Sequence, residues 1–190
     1  MITEYDNSKH NTPVKIQSRK KLIEMINALA PDYNRYWTLC NRIVGTPNEF
    51  TQIIEGTHFK PQQFFGADYD IQNIEHNRSL NLGAHFFDGD FRVAFFRNTS
   101  KTDRCVVNLD MTGFPDNTVG YVETFISMCK NRGYFPPIIF VNSTIDHRGN
   151  TADKKRFVDM FNSPGWMVDN FYEYRNVKST MQYNIILSST

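Results

Sequence analysis

Three aspartates in the middle of the sequence each follow an apolar run, at the point where a buried strand would end. Asp68 follows FFGA, Asp90 follows AHFFDG and Asp110 follows CVVNL. An ionised carboxylate accepts several hydrogen bonds at once, so one such group can bind both hydroxyls of a ribose and another the exocyclic amine of a base. Ligands of open α/β sheets bind at the carboxyl ends of the strands. The three positions therefore predict a nucleoside-type site along one edge of a sheet.

A purely structural role is at least an equal alternative for any one of these aspartates. Aspartate is common where a strand passes into a loop or a helix, because its side chain caps helices and closes Asx-turns. Three carboxylates at matching positions favour the ligand-binding interpretation. Each of them could still have only a structural role, as the cap of a helix or the acceptor of an Asx-turn.

The segments around the aspartates alternate between strand and helix patterns. Helices are predicted, with caps at Ser18, Thr46 and Thr151, in SRKKLIEMINALAPDYN, TPNEFTQIIEG, DIQNIEHNRSLNLG, DNTVGYVETFISMCKNRG and TADKKRFVDMFNSPG. Strands are predicted in QQFFGAD, AHFFD, RCVVNLD, PPIIFVN, WMVDNFYEYRN and STMQYNIILSS. A loop is expected between AHFFD and RCVVNLD, and YWTLCNRIVG is ambiguous because Asn41 and Arg42 interrupt its apolar run.

This order of elements predicts a single α/β domain of the Rossmann-like type over residues 15–190, after a flexible segment at 1–14. Strands that alternate with helices form a mostly parallel sheet with helices on both faces. The short link NVKST between the last two strands cannot make a parallel crossover, so those two strands should pair antiparallel.

Composition narrows the class of protein. Hydrophobic residues make up 40% of the 190 residues, which is typical of a globular chain, and the net charge of +1 does not demand a nucleic-acid partner. Three scattered cysteines argue against a disulfide framework and favour a reducing, cytoplasmic compartment. We find no metal-binding motif, and no apolar run approaches the length of a membrane span.

Several other residues are weighed between structure and function. His85, Cys105 and Cys129 are expected in the core, whereas His147, with Asp146 and Arg148, is expected at the functional edge of the sheet. A solvated helix face is the favoured interpretation, and phosphate contact the alternative, for two groups of basic residues: Lys15, Arg19, Lys20 and Lys21, and then Lys154, Lys155 and Arg156.

The strand ends resemble those of class I S-adenosylmethionine-dependent methyltransferases. FFGADYDIQNIEHNR is similar to the second-strand segment of that family, AHFFDGDF to the third strand with its Gly-Asp, and RCVVNLDMTGF to the fourth strand. The resemblance covers residues 40–190 and implies S-adenosylmethionine as the cofactor. It also implies that Asp68 binds the ribose, that Asp90 contacts the adenine, and that Asp110 faces the methyl group or the substrate as the catalytic position.

The glycine-rich turn of the family is reduced in this sequence. In NRIVGTPNEFTQII only Gly45 and Thr46 remain as cofactor-binding positions, and Pro47 and Asn48 stand where the family has glycine so that backbone can approach the cofactor. Two functions therefore remain open. One is a methyltransferase, with nucleic acid as a candidate substrate; the other is a catalytically inactive domain of the same fold that serves as a binding or assembly module.

Overall fold

The computed structural model describes residues 13–111, 115–145, 167–176 and 180–188. Its helices are α1 (Pro13–Leu29), α2 (Glu49–Gly56), α3 (Ile71–Ser79), α4 (Phe91–Asn98) and α5 (Pro115–Asn131), with a 3₁₀ turn at Pro61–Gln63. Its strands are β1 (Arg35–Leu39), β2 (Phe64–Asp68), β3 (His85–Asp88), β4 (Cys105–Met111), β5 (Ile138–Ile145), β6 (Met167–Asn176) and β7 (Thr180–Ser188).

The strands form one sheet in the order β3-β2-β1-β4-β5-β7-β6. Strands β1 to β5 are parallel to one another, whereas β7 runs antiparallel to both β5 and β6. The predicted α/β, mostly parallel fold is therefore confirmed. From β1 the chain adds strands on one side and then crosses to β4 on the other, so the order of the strands reverses between β1 and β4. Ligands of open α/β sheets bind at such a switch point.

The two faces of the sheet carry separate cores, because successive side chains of a strand point to opposite faces. Trp37 belongs to the face that α4 and α5 cover, and its indole stacks on Phe65 with ring centroids 4.8 Å apart. Tyr36 and Phe64 belong to the face that α1, α2 and α3 cover. The ambiguous segment is thus the central strand β1, in which Tyr36, Trp37 and Thr38 are all buried.

The loop predicted between β3 and β4 is wrong, because this segment contains helix α4. Asp90 caps the helix by accepting a hydrogen bond from the backbone N–H of Arg92 at 2.7 Å. Phe91, Ala94 and Phe95 are the buried residues of the helix, at the i, i+3 and i+4 spacing. The pattern is hard to recognise because the helix has only eight residues and also carries apolar side chains outside the buried stripe.

Two predicted helix caps are also wrong. Helix α1 begins at Pro13, so Ser18 is an interior residue of the helix and is buried. Helix α2 is capped by Asn48 rather than Thr46: the Asn48 side chain accepts from the backbone N–H of Thr51 at 3.0 Å, and the Thr51 hydroxyl accepts from the Asn48 backbone. The backbone conformation at the start of a helix decides which polar residue caps it, and the residue type alone does not reveal that conformation.

His85 is not a core residue as predicted, because β3 is the edge strand and the side chain is exposed. Its ring stacks on Phe65, with centroids 4.8 Å apart. Cys105 and Cys129 are buried, as expected. His147 with its neighbours, Lys154, Lys155, Arg156 and the helix predicted in TADKKRFVDMFNSPG lie outside the described residues.

We expect Gly66→Ala to destabilise the protein by about 1–3 kcal/mol, since the new methyl group overpacks a tight contact. A Cβ at Gly66 would lie 2.6 Å from the Cβ of Cys40, which sits on the backbone and cannot swing away. Gly120→Ala in α5 is the control, because no atom lies within 4 Å there and alanine favours a helix by about 0.5–1 kcal/mol over glycine. Equal urea midpoints for the two variants would contradict this account of β2.

Candidate functional site

A small cavity lies at the switch point, at the carboxyl end of β1. It has a volume of about 30 Å³, enough for about two water molecules. Its lining comes from the first half of α1, the residues after β1 and the start of α2, with Phe64 from β2; the lining residues are Arg19, Cys40, Asn41, Arg42, Ile43, Asn48, Glu49, Phe50 and Phe64. The cavity therefore lies where the fold places a ligand.

The turn that connects β1 to α2 is held by Asn77 of α3. The Asn77 side chain is fully buried, and its amide oxygen accepts from the backbone N–H of Ile43 at 2.7 Å. The amide nitrogen donates to the backbone carbonyl of Asn41 at 3.1 Å and lies 3.3 Å from the sulfur of Cys40. One side chain thus satisfies two backbone groups of the turn, the N–H of Ile43 and the carbonyl of Asn41.

His76, the neighbour of Asn77, adds a second connection to this turn. Its Nε2 lies 2.9 Å from the carbonyl oxygen of Ile43, and its Nδ1 lies 3.3 Å from the guanidinium of Arg42. A carbonyl needs a donor and a guanidinium needs an acceptor, so the contacts assign the proton to Nε2 of a neutral imidazole. The predicted cofactor residues Gly45 and Thr46 follow in the exposed part of the turn, where Gly45 has a φ of 65°.

Asp68 lies at the carboxyl end of β2, half-buried, on the face that α1, α2 and α3 cover. One carboxylate oxygen accepts from the backbone N–H of Asp70 and the other from the side-chain amide of Asn73, each at 3.0 Å. These bonds order the turn into α3, so the Asx-turn role is present. An ionised carboxylate offers about four lone-pair positions, and the two donors leave about half of them for a ligand.

Asp90 is fully engaged within the protein. Its two oxygens accept from the backbone N–H of Arg92 at 2.7 Å, from two guanidinium nitrogens of the same residue at 3.1 and 2.8 Å, and from the Tyr69 hydroxyl at 2.8 Å. The hydrogen bonds from Arg92 lower the pKa of Asp90 well below its usual range. An adenine amine could reach this carboxylate only if one of the four bonds broke.

Asp110, the position expected to face the substrate, lies near the end of β4 and is bound by a lysine of the first helix. Its carboxylate accepts from the ammonium of Lys15 at 3.2 Å, and the two side chains are only 18% and 13% exposed. Part of the basic cluster predicted as a solvated helix face therefore turns inward. Arg19, on the next turn of α1, donates to Gln52 of α2 and lines the cavity.

A buried network that sequence analysis missed lies between Asp68 and Asp110. One carboxylate oxygen of Glu49, at the start of α2, accepts from the Tyr36 hydroxyl at 2.7 Å and from the Asn108 amide at 2.9 Å. Burial and the adjoining Glu49 carboxylate raise the pKa of Tyr36, which keeps this hydroxyl protonated as the donor. The signal available in the sequence was Asn108, a polar residue within the apolar run CVVNL.

The strand alternation brings Asp68 and Asp110 to the same face of the sheet, together with Glu49, whereas Asp90 caps a helix that packs on the other face. Among the described residues no group of three or more His, Cys, Asp or Glu side chains could hold a metal ion. No helix within the described ranges is long and apolar enough to cross a membrane.

Comparison with known proteins gives structural matches only. No protein-family model and no curated protein sequence matches the chain. A solved structure of a proposed methyltransferase from Thermobifida fusca matches with a TM-score of 0.56 and 15% identity, over 96% of this chain and 85% of its own. Magnesium protoporphyrin IX methyltransferase (ChlM) from Synechocystis, with bound SAM, matches with a TM-score of 0.59 and 8% identity, over 91% and 79%. TrmN from Thermus thermophilus matches with a TM-score of 0.56 and 14% identity, over 95% of this chain but only 50% of its own.

Asn77→Ala should lower the free energy of unfolding by at least about 2 kcal/mol, because it leaves the backbone N–H of Ile43 and the carbonyl of Asn41 without their partner. Glu75→Ala, an exposed position on the same helix, is the control. Urea unfolding measures the difference, and hydrogen exchange at Ile43 should accelerate only in Asn77→Ala. Unchanged exchange at Ile43 would show that Asn77 does not hold the turn.

Asp90→Asn should reduce stability at neutral pH but much less in acid. The folded-state pKa of Asp90 is lowered, so its charge stabilises the fold above the unfolded value of about 3.9 and this contribution is lost as the pH falls through the folded value. Asparagine keeps the helix cap, so the variant isolates the charge. Urea midpoints at pH 7 and pH 2 measure it, because pH 3 still lies above the lowered folded-state pKa, with Asp70→Asn, the capping position of α3, as the control. A deficit of equal size at both pH values would contradict the assignment.

Proposed function

Since the chain has the fold of the class I methyltransferases, we propose that it binds S-adenosylmethionine at the carboxyl edge of the sheet and acts as a methyltransferase. The observation that carries this proposal is the position of Asp68 at the carboxyl end of β2, the strand next to β1, at whose own carboxyl end the switch-point cavity lies. Asp68 ends β2, the strand next to β1, and its half-buried carboxylate retains acceptor capacity on the face that the cavity occupies.

The residues at the ribose position fit this cofactor. The two ribose hydroxyls need acceptors, and Asp68 has about two lone-pair positions beyond those used by Asp70 and Asn73. The proposed role of Asp90 at the adenine requires that the carboxylate release either Tyr69 or part of Arg92. Tyr69 is the easier of the two to displace, because it is 69% exposed and is held by a single neutral donor.

When bound, S-adenosylmethionine supplies an electrophilic methyl group, and methyl transfer chiefly requires that the acceptor be positioned in line with it. We assign this positioning to Asp110, the half-buried carboxylate near the end of β4 on the same face as Asp68. Gly45 and Thr46 stay proposed cofactor contacts in the exposed turn. Nucleic acid stays a candidate substrate, tested by retention on heparin at low salt that moderate salt abolishes.

A second function, a catalytically inactive domain that serves as a binding or assembly module, is favoured by the turn between β1 and α2. Asn77 and His76 occupy the backbone groups of Asn41 and Ile43, and the adjoining cavity holds only about two water molecules. A cofactor that bound these backbone groups would have to displace the side chains of Asn77 and His76. The two functions therefore differ in one measurable property, the affinity for an adenosine-containing ligand.

Titration with S-adenosylmethionine and S-adenosylhomocysteine distinguishes the two functions. A ligand that binds only the folded state raises the melting temperature, by about 5–10 °C for a protein of this size when its concentration is about 100 times Kd. Asp68→Ala should abolish the rise, whereas Asp88→Ala, at the exposed neighbouring position in register on β3, should retain it. No rise at saturating ligand would support the inactive domain. A rise that Asp68→Ala leaves unchanged would contradict the role of Asp68.

A further inference from the structure

Four hydrogen-bond acceptors lie between the middle of β4 and its carboxyl end, and we call them the acceptor cluster: the carboxylates of Glu49 and Asp110 and the amide oxygens of Asn108 and Asn142. Asn108 and Asp110 are two residues apart on β4, so they share one face of the sheet. Asn142 of β5 is the direct neighbour of Asp110 in the parallel register. The cluster thus spans two adjacent strands at the edge proposed for the substrate.

The two amide oxygens of the cluster are buried and have no hydrogen-bond partner among the residues that the structure describes. Asn108 is only 4% exposed, and its amide nitrogen donates to Glu49 at 2.9 Å, which turns its oxygen away from Glu49. This contact also identifies the two ends of the amide, because the Glu49 carboxylate can only accept. A buried carbonyl without a donor is unfavourable, and a structure retains such a group where something else supplies the donor.

The ammonium of Lys15 shows which chemistry suits this cluster. It binds the Asp110 carboxylate at 3.2 Å although the two residues are 95 positions apart in the sequence. The Lys15 side chain is only 13% exposed, so its four-carbon stem extends through packed surroundings to place the charge there. An ammonium group has three donors and no acceptor, which matches a cluster made of acceptors alone.

We propose that the acceptor cluster is the subsite for a primary alkylammonium or amine group of the methyl acceptor, and that Lys15 occupies it while no substrate is bound. The inference deepens the proposed function, on which it rests, by naming the substrate class. A substrate ammonium replaces the Lys15 ammonium at Asp110 and gives one proton to that carboxylate, so that its nitrogen has a lone pair for the methyl group. The resulting amine donates its two remaining N–H groups to Asn108 and Asn142. The buried amide oxygens then distinguish an amine from an alcohol or a thiol, each of which brings one donor at most.

Binding of n-butylammonium chloride to the 190-residue chain without cofactor tests the subsite. Lys15→Ala removes the internal ammonium, so we expect it to bind the probe with a Kd about tenfold or more below that of the unaltered protein, as one charge-assisted hydrogen bond predicts. Lys21→Ala is the matched control, since Lys21 lies on the same helix and pairs with Glu24 in an exposed ion pair. It should bind like the unaltered protein, and n-butanol should bind none of the three.

Asp110→Asn in the Lys15→Ala background should abolish the binding. Equal affinity of Lys15→Ala and Lys21→Ala, or binding that survives Asp110→Asn, would overturn the proposal. So would stronger competition by MgCl₂ than by an equal ionic strength of NaCl, which would identify a metal site instead. If Lys15→Ala does not fold, Lys15→Met is used in its place, because methionine keeps the apolar part of the side chain and lacks the ammonium.

The outcome is independent of the cofactor titration. Binding of n-butylammonium without any response to S-adenosylmethionine would remove the proposed methyltransferase and leave an ammonium-binding domain. A response to S-adenosylmethionine without n-butylammonium binding would remove the amine subsite and leave the methyltransferase.

Discussion

The hydrogen bonds of Asn77 are the interaction on which the carboxyl edge of this sheet depends. They join α3 to the turn after β1 and satisfy backbone groups on both sides of Arg42. Asn77 also contacts the sulfur of Cys40, which packs so closely on β2 that only glycine fits at position 66. The Asn77 amide and the missing side chain at position 66 therefore help to position the turn, the helix and two central strands relative to one another, together with the contact from His76 to Ile43.

Each charge at this edge is paired within the protein, with a donor of a different kind. Asp68 accepts from a backbone amide and a side-chain amide, Asp90 from a guanidinium, and Asp110 from an ammonium. A ligand of Asp90 or Asp110 therefore binds by exchange, and its affinity is the difference between the bonds it makes and those it replaces. Asp90 would therefore lose the strongest hydrogen bonds on binding a ligand, whereas Asp68 can accept a hydrogen bond from a ligand without losing one of its donors.

Local sequence patterns predicted the strands well and the helix ends poorly. Buried parallel strands are continuous apolar runs such as CVVNL, which stand out whatever surrounds them. Helix α4 was missed because its eight residues are mostly apolar and show no clear period, and the caps of α1 and α2 were misplaced because several polar residues near each start could serve. His85 was assigned to the core because edge and central strands share the same local pattern, and only the strand order identifies β3 as an edge.

The sequence by itself determined the α/β class, the parallel core and the placement of Asp68 and Asp110 at strand ends, because these follow from residues adjacent in the chain. Only the tertiary structure decided what those carboxylates contact. Lys15 reaches Asp110 across 95 positions, and Glu49 meets Asn108 across 59. Such partners are chosen by the way helices pack over the sheet, which depends on the shape of the whole core and leaves no periodic signal in the residues themselves.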